Sequence, residues 1–222
     1  MGKINLLITN ARNYFTEEDR ASIQVAGKYA EKFIAKHFNF DYEVDVVVTA
    51  PSFLMSTIPE DGISGKTYHS RLIIIVIDKQ QVTMSEDVIF ETICHEMSHS
   101  LRWEKVPEYS DTLFRAMILE GLAVTLEEKA MKDTGRKQKQ FFLKTVLETD
   151  DAMAQKMLSV LRNSFDSVTY DHERIFYRGD ETLPRWAGYR LGYYFVKKHL
   201  EKRGETIEQA TLASYDDFNH RV

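Results

Sequence analysis

Residues Ser85-Glu86-Asp87-Val88-Ile89-Phe90-Glu91-Thr92-Ile93-Cys94-His95-Glu96-Met97-Ser98-His99 decide how this chain is read. Ser85 suits a helix N-cap, Glu86 and Asp87 suit a first turn, and the helical register runs on through Trp103. Inside that helix stands H-E-x-x-H, from His95 to His99. Residues four apart lie on one helical face about a turn from each other, so both imidazoles can reach a single ion. Glu96 is turned away enough to meet a water molecule instead of the ion. The bland alternative makes His95 and His99 two polar residues on a packed helix. Cys94 is rotated about 100° from His95 and reads as small apolar packing, with a regulatory or metal-competing thiol as the alternative.

A catalytic zinc site takes three protein ligands and leaves a fourth position for water. A third histidine at the G-x-x-H spacing is absent, because Arg102 and Lys105 occupy those positions. The next candidate is Glu120, in Met117-Ile118-Leu119-Glu120-Gly121-Leu122-Ala123-Val124. A helix starting at Ser110 or Asp111 and running to about Met131 would bring this glutamate back beside the histidines. Its apolar neighbours argue against a plain surface carboxylate, since an isolated buried charge is costly unless it is paired or bound to metal.

Upstream, Ile4 to Ile8 predicts a strand, and Thr16 caps a helix running to about Phe38, with Ile23, Ala26, Tyr29, Ala30, Phe33 and Ile34 on its buried face. Tyr42 to Thr49 alternates as a strand. Residues 50 to 68, punctuated by Pro51, Pro59, Gly62 and Gly65, read as a loop leading to a short buried strand, Leu72 to Ile77. Downstream the spacing predicts helices near 140–148, 150–162 and 186–203. Residues 132–139 read as a basic, solvated connection. Residues 163–185, rich in aromatic and charged side chains, read as a lid or binding wall.

The 222 residues suffice for one folding unit with a real core, and 43% hydrophobic with 28% charged residues is ordinary globular usage. A formal charge of -5 lacks the basic footprint that phosphate backbones or anionic membranes require, so neither nucleic acid nor membrane is expected as a partner. One cysteine excludes an internal disulfide framework and fits a reducing compartment. With too short an apolar start for a signal peptide and no run of spanning length, the expectation is a cytoplasmic protein.

Cys94 to Trp103, Glu120-Gly121-Leu122-Ala123, and Leu183-Pro184-Arg185-Trp186-Ala187-Gly188-Tyr189-Arg190-Leu191-Gly192-Tyr193 together resemble a bacterial family of predicted zinc-dependent proteases of the YjaZ type. The likeness spans about residues 90 to 200. It implies a gluzincin-like site: Zn2+ on His95, His99 and Glu120, with Glu96 as general base. The fold class implied is α+β and zincin-like. An N-terminal α/β lobe, 1–105, packs a small sheet on the H-E-x-x-H helix. A mainly helical lobe, 106–222, carries the third ligand, with the active-site cleft between them in a single 1–222 domain. Where thermolysin-like enzymes place a supporting aspartate four residues after the glutamate, this chain has Val124, so that support must come from elsewhere.

Tyr189-Arg190-Leu191-Gly192 also resembles the Y-x-x-G helix start of gluzincin aminopeptidases, which implies a tyrosine hydroxyl steadying the oxyanion. The alternative is core packing, with Gly188 and Gly192 forming a bare strip, and His172 and Arg102 are rival donors. In zincins an edge strand before the metal helix pairs with extended substrate, and Leu72 to Ile77 holds that place in the order. The expected function is zinc-dependent peptide hydrolysis on a peptide or protein substrate. A non-catalytic, zinc-binding regulatory or chaperone-like protein is the alternative, against which the retained Glu96 speaks.

Overall fold

The run Leu72 to Ile77 forms a strand, β4 (Leu72–Ile77), as the sequence predicts; the computed structural model describes residues 2–53, 55–81, 85–137 and 140–218. Ile73, Ile75 and Ile77 are at most 1% exposed, and burying each such side chain contributes about 1.5–3 kcal/mol. β4 is flanked by β2 (Glu43–Thr49) in parallel and by β3 (Ile63–His69) in antiparallel register. β1 (Lys3–Ile8) pairs in parallel with β2, which gives the order β1-β2-β4-β3. On β2 the alternation expected from sequence holds, with Val44, Val46 and Val48 buried and Glu43 and Asp45 exposed.

Two expectations are corrected here. Residues 50 to 68 are not all loop, because Ile63 onward forms β3, joined to β4 through a tight turn at Ser70 and Arg71. Nor is Leu72–Ile77 an edge: β3 lies outside it. β3 escapes a hydrophobic reading because its residues are mostly polar or glycine and, among the described residues, its outer edge has no neighbouring strand. The signal it does carry is the hairpin, two extended runs separated by two residues.

By its internal contacts the chain divides into two units, Met1–Lys105 with Leu126–Phe142, and Val106–Thr125 with Leu143–Val222. In the first, α1 (Glu17–His37) and α2 (Glu86–Lys105) pack on the sheet and on each other, Phe33 meeting Phe90 edge to face at 6.2 Å. Thr16 and Asp19 close a capping box at the start of α1, a feature worth about 1 kcal/mol. Tyr29 departs from the expected buried face, at 48% exposed, and its ring lies under the Arg136 guanidinium at 4.7 Å. Arg136 also covers Phe90 at 4.7 Å and donates to Asp87 at 2.6 Å, so this part of 132–139 is no simple solvated connection; Gln138 and Lys139 lie outside the described residues.

One unbroken helix, α3 (Leu113–Asp133), runs through the division, and α4 (Phe141–Leu147) follows it. The second unit adds α5 (Asp151–Leu161), α6 (Ala187–Arg203) and α7 (Ile207–Thr211). Phe114, Phe165 and Phe195 meet at 5.4–5.8 Å in its core. The start of α3 is tied to the segment after α5, Leu113 N donating to Ser167 O and Phe114 N to Phe165 O. Residues 163–185 contain a π-helical turn, Arg174–Arg178, with Ile175 and Phe176 buried. The fold is α+β, with a small four-stranded sheet and mostly helical content.

Candidate metal centre and catalytic site

Helix α2 is buried without a break from Val88 to Arg102, so the polar side chains within it must find partners inside the protein. His95 and His99 stand one turn apart with ring centroids 5.2 Å apart, and His99 stacks on Trp103 at 6.0 Å. His95 Nδ1 lies 2.9 Å from Glu127 Oε2. With Nδ1–H donated to that carboxylate, Nε2 is the nitrogen left to face an ion, the usual way a ligating imidazole is oriented.

Glu127 supplies the support missing at Val124, and it was not found in the sequence. Seven residues after Glu120 on α3, two turns along the same face, it stands at a spacing that could have revealed it.

Behind His95 lies a layer of buried polar groups. Glu91, a turn earlier on α2, is fully buried; burial, reinforced by the neighbouring Glu127, pushes its carboxyl far above the usual range. Gln140 Nε2 donates to Thr92 Oγ1 at 2.9 Å and lies 3.2 Å from Val88 O. Asp61 accepts from the backbone N–H groups of Phe141 and Phe142 at the start of α4, and burial raises its pKa despite those bonds. Burial also holds the Cys94 thiol well above its ordinary pKa, which fits the packing reading.

Glu96 turns toward β3. Its Oε2 accepts from the Thr67 hydroxyl at 2.7 Å, and a Cβ on Gly65 would stand 2.5 Å from Glu96 Cγ and 2.6 Å from Oε1. From sequence Gly65 reads only as loop punctuation and Thr67 carries no signal, because both fall in the segment read as loop.

Glu120, on α3, is half-buried, more accessible than its apolar neighbours suggest. One ligand atom each from His95, His99 and Glu120 lie within 4.8 Å of one another. Two atoms bound at about 2.1 Å to one tetrahedral zinc stand about 3.4 Å apart, so the three groups would close by up to about 1.4 Å to share such an ion. Next to Glu120, Gly121 meets Gly192 of α6 with backbone against backbone; a Cβ on either would overlap the other helix, and Gly188 likewise gives room to Phe176. The glycine strip therefore has a packing role.

The rival oxyanion donors have different surroundings. Arg102 is buried on α2, and His172 is exposed and stacked on Phe176 at 4.8 Å. Tyr189 is half-buried and meets Phe176 edge to face at 5.6 Å. Tyr170, one of the aromatics of the segment expected to be a lid or binding wall, has its ring 6.3 Å from Phe176. Burial first, then the Glu120 carboxylate, raises its phenol pKa.

Two imidazoles from one helix and a carboxylate from the next are a candidate ligand triad for one metal ion. Residues 23–220 match the family described as predicted Zn-dependent protease (DUF2268), and the chain belongs to that family. No curated protein and no solved structure matches it.

Proposed function

We propose that this chain is a zinc-dependent metallopeptidase of zincin-like build, in which His95, His99 and Glu120 hold the metal and Glu96 is the general base. The observation that carries the reading is the convergence of those three ligand atoms within 4.8 Å, beside a glutamate that is not one of them. Zinc, when bound, supplies a Lewis acid and lowers the pKa of a coordinated water to about 7. Glu96 takes a proton from the attacking water and delivers it to the leaving amine. Glu127 keeps His95 in the tautomer that presents Nε2. Of the phenols around Phe176, Tyr189 carries the resemblance to an oxyanion donor, while Tyr170 has Glu120 among its nearest charges.

The substrate is a peptide or protein segment in extended form, and β3 suits it. Ile63 O accepts from Ile58 N on the side away from β4, while Gly62 O accepts from Asp78 N at the end of β4. By the alternation of a strand, Gly65 and Thr67 then turn their N–H and C=O groups to the free edge. An added peptide would run along the two residues that flank Glu96. Among the described residues no helix is long and apolar enough to cross a membrane.

The test is zinc content with turnover on a peptide library. Purified protein holds about one zinc per chain, and His95→Ala or His99→Ala loses it. Glu96→Gln keeps the zinc but loses about 10²–10⁴-fold in activity. A folded, zinc-loaded sample that retains no metal, or an active Glu96→Gln variant, overturns the assignment.

A further inference from the structure

The side of β3 that faces α2 presents an empty position and a hydroxyl in succession, Gly65 and then Thr67, two residues along the same face. The Glu96 side chain fills that empty position. Glu96 is 5% exposed and Thr67 6% exposed, and a carboxylate so far out of water requires a donor. Thr67 Oγ1 lies 2.7 Å from Glu96 Oε2 and 3.0 Å from Glu96 O. One hydroxyl carries one hydrogen, and the shorter, charge-assisted contact is to the carboxylate.

From this geometry we infer that Thr67 is the positioning residue of Glu96, and that Gly65 and Thr67 form a strand-borne seat fixing where its carboxylate points. Building on the peptidase reading, the inference adds a residue outside the H-E-x-x-H helix to the machinery of proton transfer. The hydroxyl of Thr67 is engaged with Glu96, through which the residue acts. Its backbone groups lie on the free edge, so the residue that aims the base also belongs to the strand that an extended peptide would join.

Two measurements test this, one of them independent of zinc and of turnover. In metal-free protein, Thr67→Val leaves a buried carboxylate short of its donor and lowers Tm by about 3–10 °C, while Thr67→Ser restores it. In a Glu96→Ala background the same Thr67→Val change costs clearly less, because only the contact of the hydroxyl with the backbone carbonyl of residue 96 is left to lose. An equal loss of Tm in both backgrounds overturns the inference, because Thr67 would then act through packing or that carbonyl and not through the carboxylate. In zinc-loaded protein, Thr67→Val lowers kcat about 10- to 100-fold with KM and zinc content unchanged, and Thr67→Ser stays near wild type. Unchanged kcat in Thr67→Val, where Glu96→Gln is inactive, also overturns it. If Glu96→Gln is itself active the peptidase reading fails, and the metal-free cycle still decides whether Thr67 seats Glu96.

Discussion

Strands β4 and β3 lie side by side in antiparallel register, from Ile63 opposite Ile77 to His69 opposite Leu72, and they solve opposite problems. β4 is Leu72-Ile73-Ile74-Ile75-Val76-Ile77, enclosed by a strand on each side and with four of its six residues buried. β3 is Ile63-Ser64-Gly65-Lys66-Thr67-Tyr68-His69, an edge with two buried side chains. The first is built from residues that leave water willingly. The second is built around another element's charge: it omits a side chain at Gly65 and offers a hydroxyl at Thr67. A continuous apolar run thus marks the strand that holds the sheet together, and nothing apolar marks the strand that meets Glu96.

If that contrast is right, damage to the two strands separates stability from chemistry. Ile75→Ala in β4 should destabilise the fold by about 2–5 kcal/mol, read from chemical denaturation, with kcat per folded molecule unchanged. A large fall in kcat at constant folded fraction would break the comparison. Gly65→Ala in β3 should act the other way. The new methyl group displaces Glu96, and a misplacement of that size costs about 10²-fold in kcat with only a small change in Tm. A variant that instead unfolds would show β3 to be as structural as its neighbour.

The smallest effect lies on another face of α2, at Glu91. Its folded-state pKa is raised, so its contribution to stability is fully present below the unfolded value near 4.5 and is lost as pH rises above that value. Wild-type stability should therefore decline above about pH 5, by at most about 1.4 kcal/mol per pH unit, and Glu91→Gln should flatten that slope. Parallel pH–stability curves for the two proteins would mean that Glu91 ionises in the fold.

The same contrast explains what could be read in advance. α1 and β2 are legible because burial imposes a period of 3.6 or 2 on their apolar residues, β4 because it is a short unbroken apolar run, and α2 because Ser85 and the acids behind it mark its start, while Thr16 announces the first helix through its capping box. His95, His99 and Glu120 are legible as a group because ligand chemistry imposes a spacing and because a carboxylate in an apolar run demands a reason. Thr67, Gly65 and Glu127 are not. Thr67 and Gly65 become meaningful only once hairpin pairing sets β3 against α2, and Glu127, on a helix already expected to reach about Met131, only once its carboxylate is seen to meet His95. Tyr29 failed for a simpler reason: a large ring at helical spacing can be covered by a cation, Arg136, instead of by the core.

The stretch Leu126–Phe142 belongs to the unit formed by the first 105 residues, and it brings Glu127 to His95, Gln140 to Thr92 and the start of α4 to Asp61. During synthesis those partners are made late. At about 5–20 residues per second, the ribosome needs about 2–7 s after Lys105 to reach Phe142, and in that interval His95 has no carboxylate to choose its tautomer. Closing contacts so distant in sequence is also the slow part of folding. The nascent chain therefore holds His95 without its Glu127 partner until the unit is complete, and on the proposed reading ion capture comes late in the life of the polypeptide instead of seeding its collapse.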